Sequence, residues 1–186
     1  MRRMRARRTS LSVLVPAVVV GLVFASTGRA YQTPETLTTV AHVYSLGVGE
    51  VRCASDAEWN ADFAASFGSA YTNLRDEVAV LGPLACEGAL NVANPTVPAW
   101  QQALGVLALT HEAFHLRRWR FRRREGKVEC QAMVHFKEAA QRLGASLAHA
   151  EDLYPYALAL HQRQLRLFPI YRDPHCVLPP WNPPLG

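Results

Sequence analysis

The apolar and polar positions divide the chain into a leader, a region of short strands and a series of helices. Residues 11–25 form a nearly unbroken apolar run, preceded by arginines and followed by small residues at 26–30. Residues 37–45 suit either a short helix or an extended segment. The stretches Glu50–Cys53, 68–72 and 77–81 carry the apolar and β-branched residues of short strands, and Gly82-Pro83 stops the last of them. After a loop at 91–98, residues 99–119 read as a helix. Leu104, Val106, Leu107, Leu109 and Leu116 leave it so little polar surface that it must lie at the centre of the domain. A turn at 120–124 leads into a second helix over 125–147, whose apolar stripe is Met133, Phe136, Ala140, Leu143 and Leu147. A third helical segment covers 151–167, with Tyr154-Pro155-Tyr156 marking a bend near its start. The proline-rich end, 169–186, cannot continue as helix and reads as an irregular strap. No internal repeat is present. The expected fold is α+β and mainly α: a small antiparallel sheet, then a helix hairpin, then a C-terminal helical segment.

Length and composition narrow the class. The chain has 186 residues, 49% hydrophobic and 19% charged, which suits one globular domain and excludes disorder, collagen and coiled coil. The net charge of +5 suggests a nucleic-acid partner until it is located. Six arginines and no acid fall within residues 1–30, so the remainder of the chain sums to −1 and no nucleic acid is expected as a partner. Residues 1–30 instead read as an export signal, with cleavage expected after Ala30 and a single domain over 31–186. The apolar run is shorter than the ~20 residues a membrane-spanning helix needs. The expected location is secreted or extracytoplasmic, tethered by the N-terminus only where the signal stays uncleaved.

Export changes the chemistry expected of Cys53, Cys86, Cys130 and Cys176. In an oxidising compartment an even set of four points to two disulfides rather than thiolate metal ligands. Of the three connectivities, Cys53–Cys86 with Cys130–Cys176 is preferred because each bridge closes a loop within one half of the chain.

The central helix carries His111-Glu112-Ala113-Phe114-His115, an H-E-x-x-H motif. Residues four apart share a helix face, so two imidazoles can bind one metal ion while the intervening glutamate reaches a bound water. The string arises by chance in roughly one sequence of this composition in a hundred, so a third ligand decides its meaning. Arg118 and Phe121 stand where a metzincin needs glycine and histidine, which excludes that branch. Glu129 is the favoured third ligand: it heads the apolar stripe of the second helix and lies as far past the turn as His115 lies before it. Glu125, one turn earlier, is the alternative, or a supporting group, or an acid favoured by the helix dipole. Glu138, His135, His149 and His161 remain weaker candidates.

On these residues the chain resembles the zincin metallopeptidases, in the compact gluzincin-like arrangement where a glutamate on the following helix completes H-E-x-x-H. The resemblance covers about residues 99–136 and rests on His111, Glu112, His115 and Glu129, the last opening the segment Glu129-Cys130-Gln131-Ala132-Met133. It implies Zn²⁺ on His111, His115 and Glu129, Glu112 as general base, a peptide or protein substrate, and an edge strand above the active-site helix, for which Val78–Leu81 is the candidate. An oxyanion donor is expected from Tyr71, Tyr154 or His149. The rival reading is a disulfide-bonded binding module with a non-catalytic zinc site or none. Arg117, Arg118, Arg120, Arg122, Arg123 and Arg124 offer weak contact with an anionic cell surface, although a solvated helix end is the plainer account. Trp59, Trp100, Trp119 and Trp181 read as packing anchors.

Overall fold

In the computed structural model of the chain the described residues are 35–61, 69–117 and 124–180. The leader and its cleavage point, Trp119, Trp181 and the arginines between 118 and 123 lie outside them. Seven helices and three strands are described: α1 (Glu35–Ser45), β1 (Glu50–Cys53), α2 (Asp56–Ala61), β2 (Ala70–Asn73), β3 (Val78–Leu81), α3 (Pro83–Leu90), α4 (Ala99–Leu116), α5 (Glu125–Val134), α6 (Phe136–Arg142) and α7 (Leu147–Leu167). The fold is α+β and mainly α, as expected. No helix among the described residues is long and apolar enough to cross a membrane.

The sheet departs from the wholly antiparallel expectation. Its order is β1-β3-β2, with β1 parallel to β3 from Glu50↔Val78 to Cys53↔Leu81, and β2 antiparallel to β3 from Ala70↔Leu81 to Asn73↔Val78. The cause lies in the residues of β3. Val78, Ala79, Val80 and Leu81 are all buried, so this strand is covered on both faces and belongs in the middle. The second arm of the β2–β3 hairpin therefore slots beside β1 and runs with it. Val78–Leu81 is thus the central strand, not the edge that sequence suggested; the edge facing the motif is β2.

Helix α4 is the axis of the domain. Every residue from 105 to 116 is buried, with α3, α7, α1, α5 and the sheet packed around it. Its approach to α3 is backbone-close: a Cβ on Gly105 would stand 2.2 Å from Ala89 N and 2.4 Å from Ala85 O. Helix α3 was not foreseen because Pro83 reads as a strand stop. Proline also suits the first position of a helix, and it takes that role here. The stretch 37–45 resolves as helix, burying Leu37, Val40, Ala41 and Tyr44 on one face.

The expected helix over 125–147 is two helices, α5 and α6, separated at His135, whose ring sits 5.5 Å from Tyr44 and 5.6 Å from Phe114. Gly144, at φ 105°, then ends the segment. Helix α7 starts at Leu147, earlier than expected, because the Ser146 side chain accepts from His149 N–H and caps it. Pro155 lies inside α7. Both expected disulfides are present, Cys53–Cys86 tying β1 to α3 and Cys130–Cys176 tying α5 to the C-terminal strap. The strap opens with a short 3-10 turn, Pro169–Tyr171, and is held further by Tyr154, whose hydroxyl donates to Pro179 O at 3.2 Å.

Because α3 touches α4 through backbone, Gly105→Ala is expected to lower the unfolding free energy by about 1–3 kcal/mol. Urea denaturation with both disulfides intact checks this. An unchanged midpoint would mean that the two helices can separate freely.

Candidate metal centre

Histidines 111 and 115 fall one turn apart on α4, and their Nε2 atoms stand 3.1 Å from each other. Helix α5 passes α4 in the opposite direction, so that Glu125 lies beside His115 and Glu129 beside His111. Glu125 Oε2 is 3.3 Å from His111 Nε2 and 3.2 Å from His115 Nε2. The three atoms form a nearly equilateral triangle. A tetrahedral ion with ligand bonds of ~2.0–2.1 Å separates its donors by ~3.3 Å. His111, His115 and Glu125 could therefore hold a metal ion.

The two glutamates have exchanged the positions that sequence suggested. Glu129 does not face the shared point. Its Oε2 accepts a 2.9 Å hydrogen bond from Nδ1 of His111, the nitrogen on the far side of the ring. When the ring is neutral, as a metal ligand must be, that bond keeps the proton on Nδ1 and directs the Nε2 lone pair toward the triangle. The other oxygen of Glu129 bonds Nδ1 of His161, on α7, also at 2.9 Å. Helical spacing could not separate the two roles, because Glu125 and Glu129 differ by one turn on the same face and the residues of the connecting turn set the offset.

Glu112 lies on the strand side of α4. Thr72 Oγ of β2 donates to Glu112 Oε2 at 2.6 Å, which orients the carboxylate. A cavity of about 630 Å³ opens beside these groups, bounded by α4, β2, α7 and the start of the strap.

Burial and charge pull against each other here. Burial disfavours protonation of His111, but Glu125 and Glu129 outweigh it and push the ring up to about 10. Burial would raise Glu129, yet its bonds to His111 and His161 bring it down to about 2. Glu125 is likewise held well below the usual carboxylate range by His111 and His115, against its partial burial.

Of the expected oxyanion donors only Tyr71 reaches the cavity, where its ring stacks on Trp59. Tyr154 is committed to the strap, and His149 Nε2 bonds Val92 O and Gln102 Oε1 at 2.9 Å each. Glu138 pairs with Arg142 and His135, away from the triangle. Sequence reading missed Tyr171, whose ring lies 5.8 Å from that of His111. Burial, reinforced by Glu125, pushes its phenol up to about 12, so it stays protonated. The available signal was the Cys130–Cys176 bridge, which returns the strap to the residue after Glu129. Of the arginine cluster, only Arg117 and Arg124 belong to the described residues.

The ion-pair network gives the metal-free protein a defined pH response. Depressed Glu125 and Glu129 stabilise the fold above their ordinary value of 4.5, and that contribution fades as pH falls through the folded values, about 2 for Glu129. Raised His111 stabilises fully below 6.5, and its contribution fades as pH rises through about 10. Chelated protein is expected to melt highest between those two ordinary values and progressively lower toward pH 10. Added divalent metal should replace the proton and flatten the alkaline limb. A flat alkaline limb in chelated protein would contradict the network.

Comparison of the chain with protein-family models, curated proteins and solved structures finds no match, so the function of the site is read from its geometry.

Proposed function

We propose that this chain is a secreted zinc-dependent peptidase, with Zn²⁺ held by His111, His115 and Glu125 and with Glu112 as general base. The observation that carries the reading is the triangle of donor atoms, with sides of 3.1, 3.2 and 3.3 Å, next to a glutamate on the same helix. Two imidazoles and one carboxylate, all three lining the cavity, are the donor set of catalytic zinc sites. When bound there, zinc would acidify a water and polarise a carbonyl oxygen. A glutamate reaching the H-E-x-x-H helix from the next helix supports the zincin reading, with Glu125 in place of Glu129 as third ligand. Two disulfides and the apolar leader at 11–25 support an extracytoplasmic location.

Each remaining group has a task in amide hydrolysis. Glu112 takes a proton from the attacking water and passes it to the departing amine, while Thr72 holds one carboxylate oxygen and leaves the other to act. Tyr171, which lines the cavity beside His111, would donate a hydrogen bond to the oxygen that gains charge. Strand β2 has no strand partner on its cavity side among the described residues, so an extended substrate backbone can lie along it. Glu129 and His161 keep the His111 ring oriented.

The purified domain is expected to carry one zinc per chain, lost in His111→Ala. Glu112→Gln should keep the metal and lose turnover of a peptide substrate by ~10²-fold or more. Metal retained with turnover unchanged in Glu112→Gln would leave a binding module as the better reading. Zinc affinity measured by chelator competition should fall 10–100-fold in Glu129→Gln and further in Glu125→Gln. The reverse order would return Glu129 to the ligand set.

A further inference from the structure

Helix α7 presents Leu160, Arg163, Gln164 and Leu167 to the cavity, at the i, i+3, i+4, i+7 spacing of a single helix face. Across from it, α4 presents Leu104, Leu107 and Ala108, the two turns preceding His111. Leu104, Leu107 and Leu160 supply apolar wall to the cavity. Among the described residues Arg163 is the one arginine or lysine on its wall. The acids on that wall are already engaged: Glu112 with Thr72, Glu125 with His111 and His115, Glu129 with His111 and His161. Among the described residues nothing forms an ion pair or hydrogen bond with Arg163. Its guanidinium, exposed to solvent, is therefore open among those residues to an anion carried by a ligand.

We infer that the cavity takes the C-terminal end of a peptide: an apolar last residue, its side chain among Leu104, Leu107 and Leu160, and its free carboxylate on Arg163. This rests on the zinc-peptidase reading of the same site. The spacing agrees, since Arg163 lies three residues, about 4.5 Å along the axis, from Leu160. In an amino acid the carboxylate and side chain branch from one carbon, so both can be met at that separation. Guanidinium suits a carboxylate because its paired N–H groups match the two oxygens. A cavity of about 630 Å³ lies in the ~300–1,000 Å³ range of small-ligand sites, which is room for the last residues of a chain. The reaction is hydrolysis of the last amide bond. Water oxygen joins the carbonyl carbon, the C–N bond breaks, and the proton delivered by Glu112 leaves with the freed amino acid, while the shortened peptide keeps a new carboxylate.

The test uses acetyl-Ala-Leu as the free acid and as its C-terminal amide. Binding to zinc-loaded full-length Glu112→Gln protein is measured by calorimetry, and hydrolysis by the unmodified protein is measured in parallel. The acid is expected to bind roughly ten- to hundredfold tighter than the amide, as a charge-assisted pair warrants. Adding Arg163→Gln should abolish that difference, and Arg163→Lys should restore part of it, with zinc content measured alongside. Equal binding of acid and amide, no binding of either, or equal weakening of both by Arg163→Gln would each overturn the inference. Acid-selective, Arg163-dependent binding without hydrolysis would uphold the subsite and refute the peptidase reading, which separates the two failures.

Discussion

Two imidazole nitrogens and a carboxylate oxygen stand within 3.3 Å of one another beside the C-terminal end of α4. Three such atoms repel unless a proton or a metal cation lies between them. Glu129, 1% exposed, sharpens the constraint, because its bond to Nδ1 of His111 commits the ring's other nitrogen to that point. Isolated buried charge is costly, and these groups are tolerable together only as a compensated cluster. The surrounding architecture answers to this requirement.

Helix α4 can carry polar groups through the centre of the domain because the neighbouring elements meet them. Thr72 of β2 meets Glu112, α5 supplies Glu125 and Glu129, and α7 supplies His161. The Cys130–Cys176 bridge, one residue beyond Glu129, anchors the strap that brings Tyr171 against His111. Gly126 permits that closeness, since a Cβ there would stand 2.5 Å from Arg172 O. The cavity wall thus combines the polar triangle with leucines of α4 and α7.

Much of this was legible in the residues. The H-E-x-x-H spacing located the site, the near-continuous apolar pattern of 99–116 placed it on a buried helix, and cysteine spacing within each half of the chain gave both bridges. The order of the glutamates was not legible. A one-turn choice between Glu125 and Glu129 depends on how far α5 slides along α4, which local periodicity does not encode. The sheet was misjudged in direction for a related reason: strand pairing is non-local, and the unbroken burial of Val78–Leu81, a mark of a central strand, was open to a second reading as an edge. His161 and Tyr171 lie 50 and 60 positions after His111 in sequence and reach it only through tertiary packing. Pro83 served as a helix start where the neighbouring strand made it look like a stop.

The most direct test is the position of the bound ion itself, from anomalous diffraction at the zinc edge on crystals of the zinc-soaked full chain. A single peak is expected at ~2.0–2.2 Å from Nε2 of His111, Nε2 of His115 and one oxygen of Glu125, with Glu129 still bonded to Nδ1 of His111. A peak coordinated by Glu129, or no peak between the two imidazoles, would contradict the account.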